Sequence, residues 1–191
     1  MSLDTNHKLL VATSSTIFFI LTLTVAILPA FEAQKTVPLP GIEIIEPDSL
    51  IARGRALYLK EGCGTCHTQF LRDLPVDAPY GRGSLAGDYA LESPPLLGTQ
   101  RTGPDLSNVG VRQPSDVWNL IHLYNPRIVV ASSVMPAYPW YFEEKIEAAE
   151  NDVVVSVPDR FKPQGTVIVA TSDALSLVAY LQSLKQIEVA P

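Results

Sequence analysis

The chain has 191 residues, of which 47% are hydrophobic and 18% are charged, and its formal net charge is −6. An acidic balance argues against binding to nucleic acid, and it fits either a basic partner or an acidic surface that contacts only solvent. The length allows one membrane segment followed by one soluble domain of about 145 residues.

An apolar segment without a charged residue extends over Leu9–Phe31. As a helix it would be about 35 Å long, which is enough to cross the hydrocarbon core of a bilayer. A cleaved signal peptide is the competing interpretation, but Ala30 and Ala33 have the wrong spacing for a cleavage site. Lys8 precedes the segment, which favours a cytoplasmic N-terminus. We therefore predict a cytoplasmic N-terminus and a retained anchor within residues 1–31.

Residues 32–48 contain Pro38, Pro40 and Pro47. A segment so rich in proline forms a stiff extended linker rather than a random coil, and it would hold the following domain close above the membrane. We assign residues 49–191 to that domain and predict a mostly α fold with long loops.

The first helix of the domain is predicted to begin at a cap on Asp48 or Ser49 and to end near Glu61. Gly54 lies inside it. Because glycine in a helix costs about 1 kcal/mol relative to alanine, we expect another element to approach Gly54 closely.

Residues 63–67, Cys-Gly-Thr-Cys-His, follow this helix and contain the only two cysteines of the chain. This is the C-x-x-C-H pattern of c-type haem attachment, in which each sulfur adds to one vinyl group and the imidazole becomes an iron ligand. A zinc site would need a second pair of ligands, and a thioredoxin-like redox pair would need a βαβ setting. We therefore predict one covalent haem c on Cys63, Cys66 and His67.

The sixth iron ligand is predicted to be Met135, because the other methionine, Met1, lies before the anchor. Pro136 makes a rigid loop that suits the presentation of sulfur to iron, although ordinary core packing is the commoner fate of methionine. His122 is the rival ligand, but its apolar neighbours indicate a helix packed on the domain. Ligation by histidine and methionine saturates the iron, so the expected activity is electron transfer without bond chemistry.

Two further residues are candidates for support of the haem. The Nδ1–H group of His67 needs an acceptor, and the carbonyl group of Pro104 is a candidate. Arg101 is expected either to pair with a haem propionate or to be an exposed surface charge.

The remainder of the domain is rich in loops. We predict a short helix over Ser115–Tyr124 and short strands over Val153–Val157 and Thr166–Ala170. The acidic stretch Glu143–Asp152 is expected to be a solvated face. A last helix begins at residue 171 or 172, and its apolar stripe is predicted to cross the first helix. A first helix that leads into C-x-x-C-H and a last helix that crosses it are the class I cytochrome c arrangement.

Several segments together resemble the mono-haem, membrane-anchored cytochrome c subunit, often called subunit II, of C-type (cbb) haem-copper oxidases. They are Gly54–Tyr58, Cys66–Gln69 with Arg72, Arg101–Leu106, His122–Arg127 and Met135–Trp140. The resemblance covers residues 49–142 and the anchor. It implies haem c on Cys63 and Cys66, axial ligands His67 and Met135, and a periplasmic domain on the inner membrane beside a catalytic subunit that reduces dioxygen.

In that setting the chain is not itself an enzyme, and it receives electrons from a further cytochrome c subunit or a soluble cytochrome c. The resemblance weakens after Phe142. A nitric oxide reductase subunit and a free-standing anchored electron carrier are therefore the alternative functions.

Overall fold

The computed structural model describes residues 6–188, which form five α-helices and a three-stranded sheet. The elements are, in chain order, α1 (His7–Ala33), α2 (Leu50–Lys60), α3 (Val109–Arg112), α4 (Asp116–Tyr124), β1 (Phe142–Lys145), β2 (Val153–Val155), β3 (Val167–Ala170) and α5 (Ser172–Ser183). The ends of the predicted N-terminal segment and of the predicted domain, residues 1–5 and 189–191, lie outside the described residues.

Helix α1 is long and apolar enough to cross a membrane, with a mean hydropathy of 2.1. Its 27 residues reach about 40 Å. Asn6 caps it by accepting a hydrogen bond from the Leu9 N–H at 3.2 Å. None of its side chains is buried against the rest of the described chain. An apolar surface of this size needs a non-aqueous environment, which fits the predicted membrane anchor.

The segment between α1 and α2 packs against the domain. The Leu39 N–H donates to the Gly87 carbonyl oxygen at 3.3 Å. Gly41 turns the chain with φ +91°, and a Cβ at this position would be 3.2 Å from the side chain of Ile187. Helix α1 ends at Ala33, two residues inside the segment that was predicted as the linker.

Helices α2 and α5 cross at Gly54, as the sequence predicted. A Cβ on Gly54 would overlap the carbonyl oxygen of Ser176, so only glycine permits this approach. Ser49 caps α2, and its side chain accepts from the Ala52 N–H at 3.1 Å. Beside the crossing, the rings of Tyr58 and Tyr180 pack edge to face with centroids 5.4 Å apart. The crossing holds the C-terminal end of α2 in place, and residues 63–67 follow shortly after that end.

The sheet contains one strand more than predicted. The two predicted strands are present as β2 and β3, and β1 adds to the other edge of β3 to give the antiparallel order β1-β3-β2. β1 begins at Phe142 and includes the first residues of the acidic stretch that was expected to be a solvated face. Its residues Glu143 and Glu144 are exposed, but their backbone pairs with Val169 and Ile168. The fold is therefore mostly helical with a small sheet, and the sheet contains the two predicted strands and β1.

Candidate functional site

The two cysteines lie on a single 3₁₀ turn that follows α2. Gly62, with φ +67°, ends the helix in the left-handed region, and the turn covers Cys63–Thr65. The N–H groups of Cys66 and His67 both donate to the Cys63 carbonyl oxygen, at 3.2 and 3.0 Å. Because side chains three residues apart eclipse in a 3₁₀ turn, both thiols face the same side. Both are free and half-buried.

The surroundings of the thiols differ from those of the two alternative sites. Burial raises the pKa of Cys63 to about 11, whereas redox-active C-x-x-C pairs have a lowered thiol pKa. Within residues 6–188, no group of three or more His, Cys, Asp or Glu side chains converges in a way that could hold a metal ion. The pKa of Cys63 is therefore unlike that of a thiol in a redox-active pair.

The imidazole of His67 is fixed by the loop of residues 101–106. Its Nδ1 lies 2.7 Å from the Pro104 carbonyl oxygen, the contact that the sequence predicted. Since a carbonyl oxygen can only accept, Nδ1 carries the proton and Nε2 keeps a free lone pair. The Gly103 N–H donates to the Cys66 carbonyl oxygen at 2.9 Å. A Cβ on Gly103 would overlap the imidazole ring.

Arg101 is partly exposed, and its guanidinium group pairs with a buried carboxylate. Its guanidinium donates to both carboxylate oxygens of Asp77, its Nε donates to Thr68 Oγ1 at 2.8 Å, and it also reaches the Phe70 carbonyl oxygen at 2.7 Å. Asp77 has no exposed surface. The Arg101 hydrogen bonds lower the pKa of Asp77 and, in return, the pKa of Arg101 is raised. Arg101 therefore pairs with the buried Asp77, and its contact with a haem propionate stays a prediction.

Asp105 connects the segment after His67 with the segment after Pro104. Thr68 Oγ1 donates to the Asp105 carboxylate at 2.6 Å, and the Phe70 N–H donates to it at 3.0 Å. Sequence reasoning missed Asp77, Thr68 and Asp105 as parts of the site. The position of Thr68 and Asp105, one residue after His67 and Pro104, is the only local signal that pointed to them.

Met135 lies in the loop between α4 and β1. The Tyr138 N–H donates to the Leu123 carbonyl oxygen at 2.9 Å, which brings the loop back to the end of α4. The Met135 N–H donates to Ser133 Oγ at 3.2 Å. Its half-buried side chain packs against the main hydrophobic core, as does that of Cys63. This position suits both interpretations of Met135, core packing and iron ligation.

His122 lies on α4, as predicted, and one of its nitrogen atoms has no partner. Nδ1 is buried and makes no hydrogen bond within the described chain. The ring stacks on Trp118 with centroids 4.5 Å apart and an interplanar angle of 11°. Burial lowers the pKa of His122 to about 4, so its imidazole is neutral near pH 7.

The residues present fit a covalently attached haem. The two cysteines lie within one turn, His67 Nδ1 contacts the Pro104 carbonyl oxygen, and Gly103 lets a loop pack directly on the His67 ring.

One family model matches the chain, and its description is "Cytochrome C oxidase, mono-heme subunit/FixO". The match covers residues 2–162, which is well over half of the chain and includes Cys63, Cys66, His67 and Met135. It ends before β3. A search of curated proteins finds no match.

Proposed function

Because the chain belongs to the FixO family of mono-haem cytochrome c oxidase subunits, we propose that it relays electrons through one covalent haem c to the catalytic subunit of a cbb-type haem-copper oxidase that reduces dioxygen. The chain is the non-catalytic electron-transfer subunit of that complex. The observation that carries the proposal is the contact between His67 Nδ1 and the Pro104 carbonyl oxygen, because it leaves Nε2 available to iron beside two thiols on one turn.

Cys63 and Cys66 form the two thioether links, and His67 and Met135 are the axial ligands. Bound in this way, the haem supplies reversible one-electron transfer at an iron whose coordination positions are all filled. Pro104 holds the Nδ1 proton of His67, which fixes the tautomer and the direction of Nε2. Arg101 pairs with the buried Asp77 and would reach a haem propionate from its exposed side.

The soluble domain is a class I cytochrome c-like domain. The crossing of α2 and α5 at Gly54, with the C-x-x-C-H turn directly after α2, supports this assignment. The family match ends at residue 162, and the sheet pairs β1 and β2, before that boundary, with β3 after it. The sheet is therefore where we expect this chain to differ from its relatives.

Helix α1 is a single-pass anchor in the inner membrane, with the haem domain on the periplasmic side. Its exposed apolar surface and the position of Lys8 before the apolar run support this orientation. Covalent haem attachment outside the cytoplasm requires the same orientation. The partners are the catalytic subunit in the membrane and a donor, either a further cytochrome c subunit or a soluble cytochrome c.

The direct test is purification of the full-length chain from native membranes in mild detergent, identification of the co-purifying subunits, and measurement of oxygen and nitric oxide consumption. We expect a haem-copper catalytic subunit and consumption of oxygen. Consumption of nitric oxide without oxygen would assign the chain to a nitric oxide reductase. Recovery of the chain alone, at full haem content, would assign it to a free-standing carrier.

A further inference from the structure

The Met135 loop, residues 125–141, ends in a tyrosine that is tied to the segment before the C-x-x-C-H turn. The Tyr141 hydroxyl donates a hydrogen bond to a carboxylate oxygen of Glu61 at 2.6 Å, across 80 residues of chain. Tyr141 is only 3% exposed, and Glu61 is half-buried. Glu61 follows the last residue of α2 and precedes Cys63 by two positions. The hydrogen bond therefore joins the loop of the proposed sixth ligand to the start of the proposed haem-attachment turn.

The backbone of Tyr141 is also held in place. Its carbonyl oxygen accepts hydrogen bonds from the Thr171 N–H at 3.1 Å and from Thr171 Oγ1 at 2.8 Å. Thr171 is the N-cap of α5, the helix that crosses α2. Among the described residues, no other hydrogen bond joins the Met135 loop to residues 61–67. The contact between Tyr141 and Glu61 is thus the direct polar link between the two segments.

A stiff segment connects Tyr141 with Met135. Pro136 and Pro139 fix two of the backbone φ angles between them. Residues Pro139–Tyr141 form a 3₁₀ turn, which is closed by a hydrogen bond from the Tyr141 N–H to the Tyr138 carbonyl oxygen at 3.2 Å. Because these constraints leave the segment few free torsions, a displacement of Tyr141 also displaces Met135. The position of Met135 therefore depends on the contact that Tyr141 makes.

We propose that the hydrogen bond between Tyr141 and Glu61 holds the Met135 loop against the segment that carries the haem-attachment turn, and that both are positioning residues for the sixth ligand. This inference rests on the proposed function, in which Met135 binds iron. The iron is fixed to the turn and the sulfur is fixed to the loop, so the link between turn and loop favours the bond between iron and sulfur. Loss of the link lets the loop move away more often, and ligands from solution then compete better for the iron.

The test uses the full-length haem protein in detergent and measures the binding of added imidazole to the ferric form, in competition with the sixth ligand. Tyr141→Phe keeps the ring and removes the donor. Glu61→Leu removes the acceptor, and Glu61→Gln keeps an acceptor oxygen as the conservative rescue. Tyr89→Phe is the matched control, because the Tyr89 hydroxyl donates a 2.8 Å hydrogen bond to the Gln69 carbonyl oxygen, on the His67 side.

For Tyr141→Phe and for Glu61→Leu we expect about three- to tenfold tighter binding of imidazole and a higher limiting rate of binding, with unchanged covalent haem content. Glu61→Gln and Tyr89→Phe should stay within about twofold of wild type. The double variant of Tyr141→Phe and Glu61→Leu should bind imidazole within about twofold of either single variant, because both changes remove the same hydrogen bond. In a Met135→Ala background, Tyr141→Phe should have no effect on imidazole binding.

Unchanged imidazole binding by Tyr141→Phe would overturn the proposal even if the variant unfolds more easily, because a purely structural hydrogen bond affects only the free energy of unfolding. Fully additive effects in the double variant would overturn it too, and so would an equal effect of Tyr89→Phe. If Tyr141→Phe does not accumulate, equal imidazole binding by Glu61→Leu and Glu61→Gln overturns it. Wild-type protein that binds imidazole as tightly as Met135→Ala would instead contradict the ligand in the proposed function.

Discussion

The segment that contains His67 is held more firmly by the rest of the chain than the segment that contains Met135. On the His67 side, the loop of residues 101–106 is joined to the haem motif by side-chain and backbone hydrogen bonds and by two carboxylates with no exposed surface, Asp77 and Asp105. On the Met135 side, within the described chain, the loop returns to α4 through the Tyr138 N–H, and its nearby backbone hydrogen bonds are local turns.

This difference teaches that the fold itself positions one of the two proposed ligands, His67, whereas the position of the other, Met135, depends on a packed loop. Contacts within the protein fix the tautomer of His67, the position of its ring and the neighbouring backbone. Changes on the His67 side should therefore reduce haem retention or stability. Changes on the Met135 side should alter ligation while the haem stays attached.

The largest effect is expected from removal of a thioether link. Cys63→Ala or Cys66→Ala leaves one vinyl group unattached, and we expect most of the covalent haem to be lost. Haem that remains with the denatured polypeptide, normalised to protein, measures the effect. Normal haem content in either variant would contradict attachment at these two residues.

A large loss of stability is expected from Gly103→Ala, because the new Cβ would overlap the His67 ring. Overpacking of this kind costs about 1–3 kcal/mol, and here it also moves the imidazole away from Pro104. Denaturant unfolding followed by haem absorbance measures the change.

Gly64→Ala is the matched control, since a Cβ there meets only ordinary contacts at 3.8 Å or more. We expect it to stay within about 0.5 kcal/mol of wild type. Equal effects of the two substitutions would refute the close packing of the loop on His67.

A smaller, pH-dependent effect is expected from Asp77→Asn. Arg101 lowers the pKa of Asp77 in the folded state, so the pair stabilises the fold above the unfolded pKa of about 4, and this contribution is lost as the pH falls through the folded pKa. The variant should be less stable near neutral pH and should lose less stability on acidification below about pH 4.

Unfolding curves measured between neutral and acidic pH test this prediction. Asp73→Asn is the control, because Asp73 is an exposed carboxylate in the same loop. If the acid dependence of Asp77→Asn matched that of wild type, the buried pair would have no part in the stability of the His67 side.

The smallest effect on haem retention is expected from Met135→Ala. The thioether links and His67 are untouched, so the haem should stay attached while the low-spin thioether signature disappears. Absorption and electron paramagnetic resonance spectra of the ferric protein measure the change. An unchanged spectrum would remove Met135 from the ligand set, and loss of the haem would break the contrast between the two sides.

Local sequence signals predicted the parts of the fold that depend on a few neighbouring residues. The α4 helix is found one residue inside the predicted Ser115–Tyr124 span, with Ser115 as its cap. Gly54 predicted a close approach because glycine is unfavourable inside a helix. The contact between His67 and Pro104 was predicted from the needs of an iron-bound imidazole.

The parts that were missed depend on partners far away in the chain. The sequence of β1 is typical of a charged surface segment. It forms a strand because Phe142 is buried and because the backbone of β1 pairs with β3, about 25 residues later in the chain. The partner of Arg101 is Asp77, which lies in a proline-rich loop without a motif. No local pattern indicates that this loop folds back on residues 68–70.

The account depends most directly on whether the polypeptide carries haem through covalent links to Cys63 and Cys66. The decisive measurement is the absorption spectrum and iron content of the purified full-length chain after denaturation and extraction of unbound cofactors. The account predicts one haem that stays with each polypeptide. A colourless polypeptide, or one that contains zinc instead of iron, would contradict it.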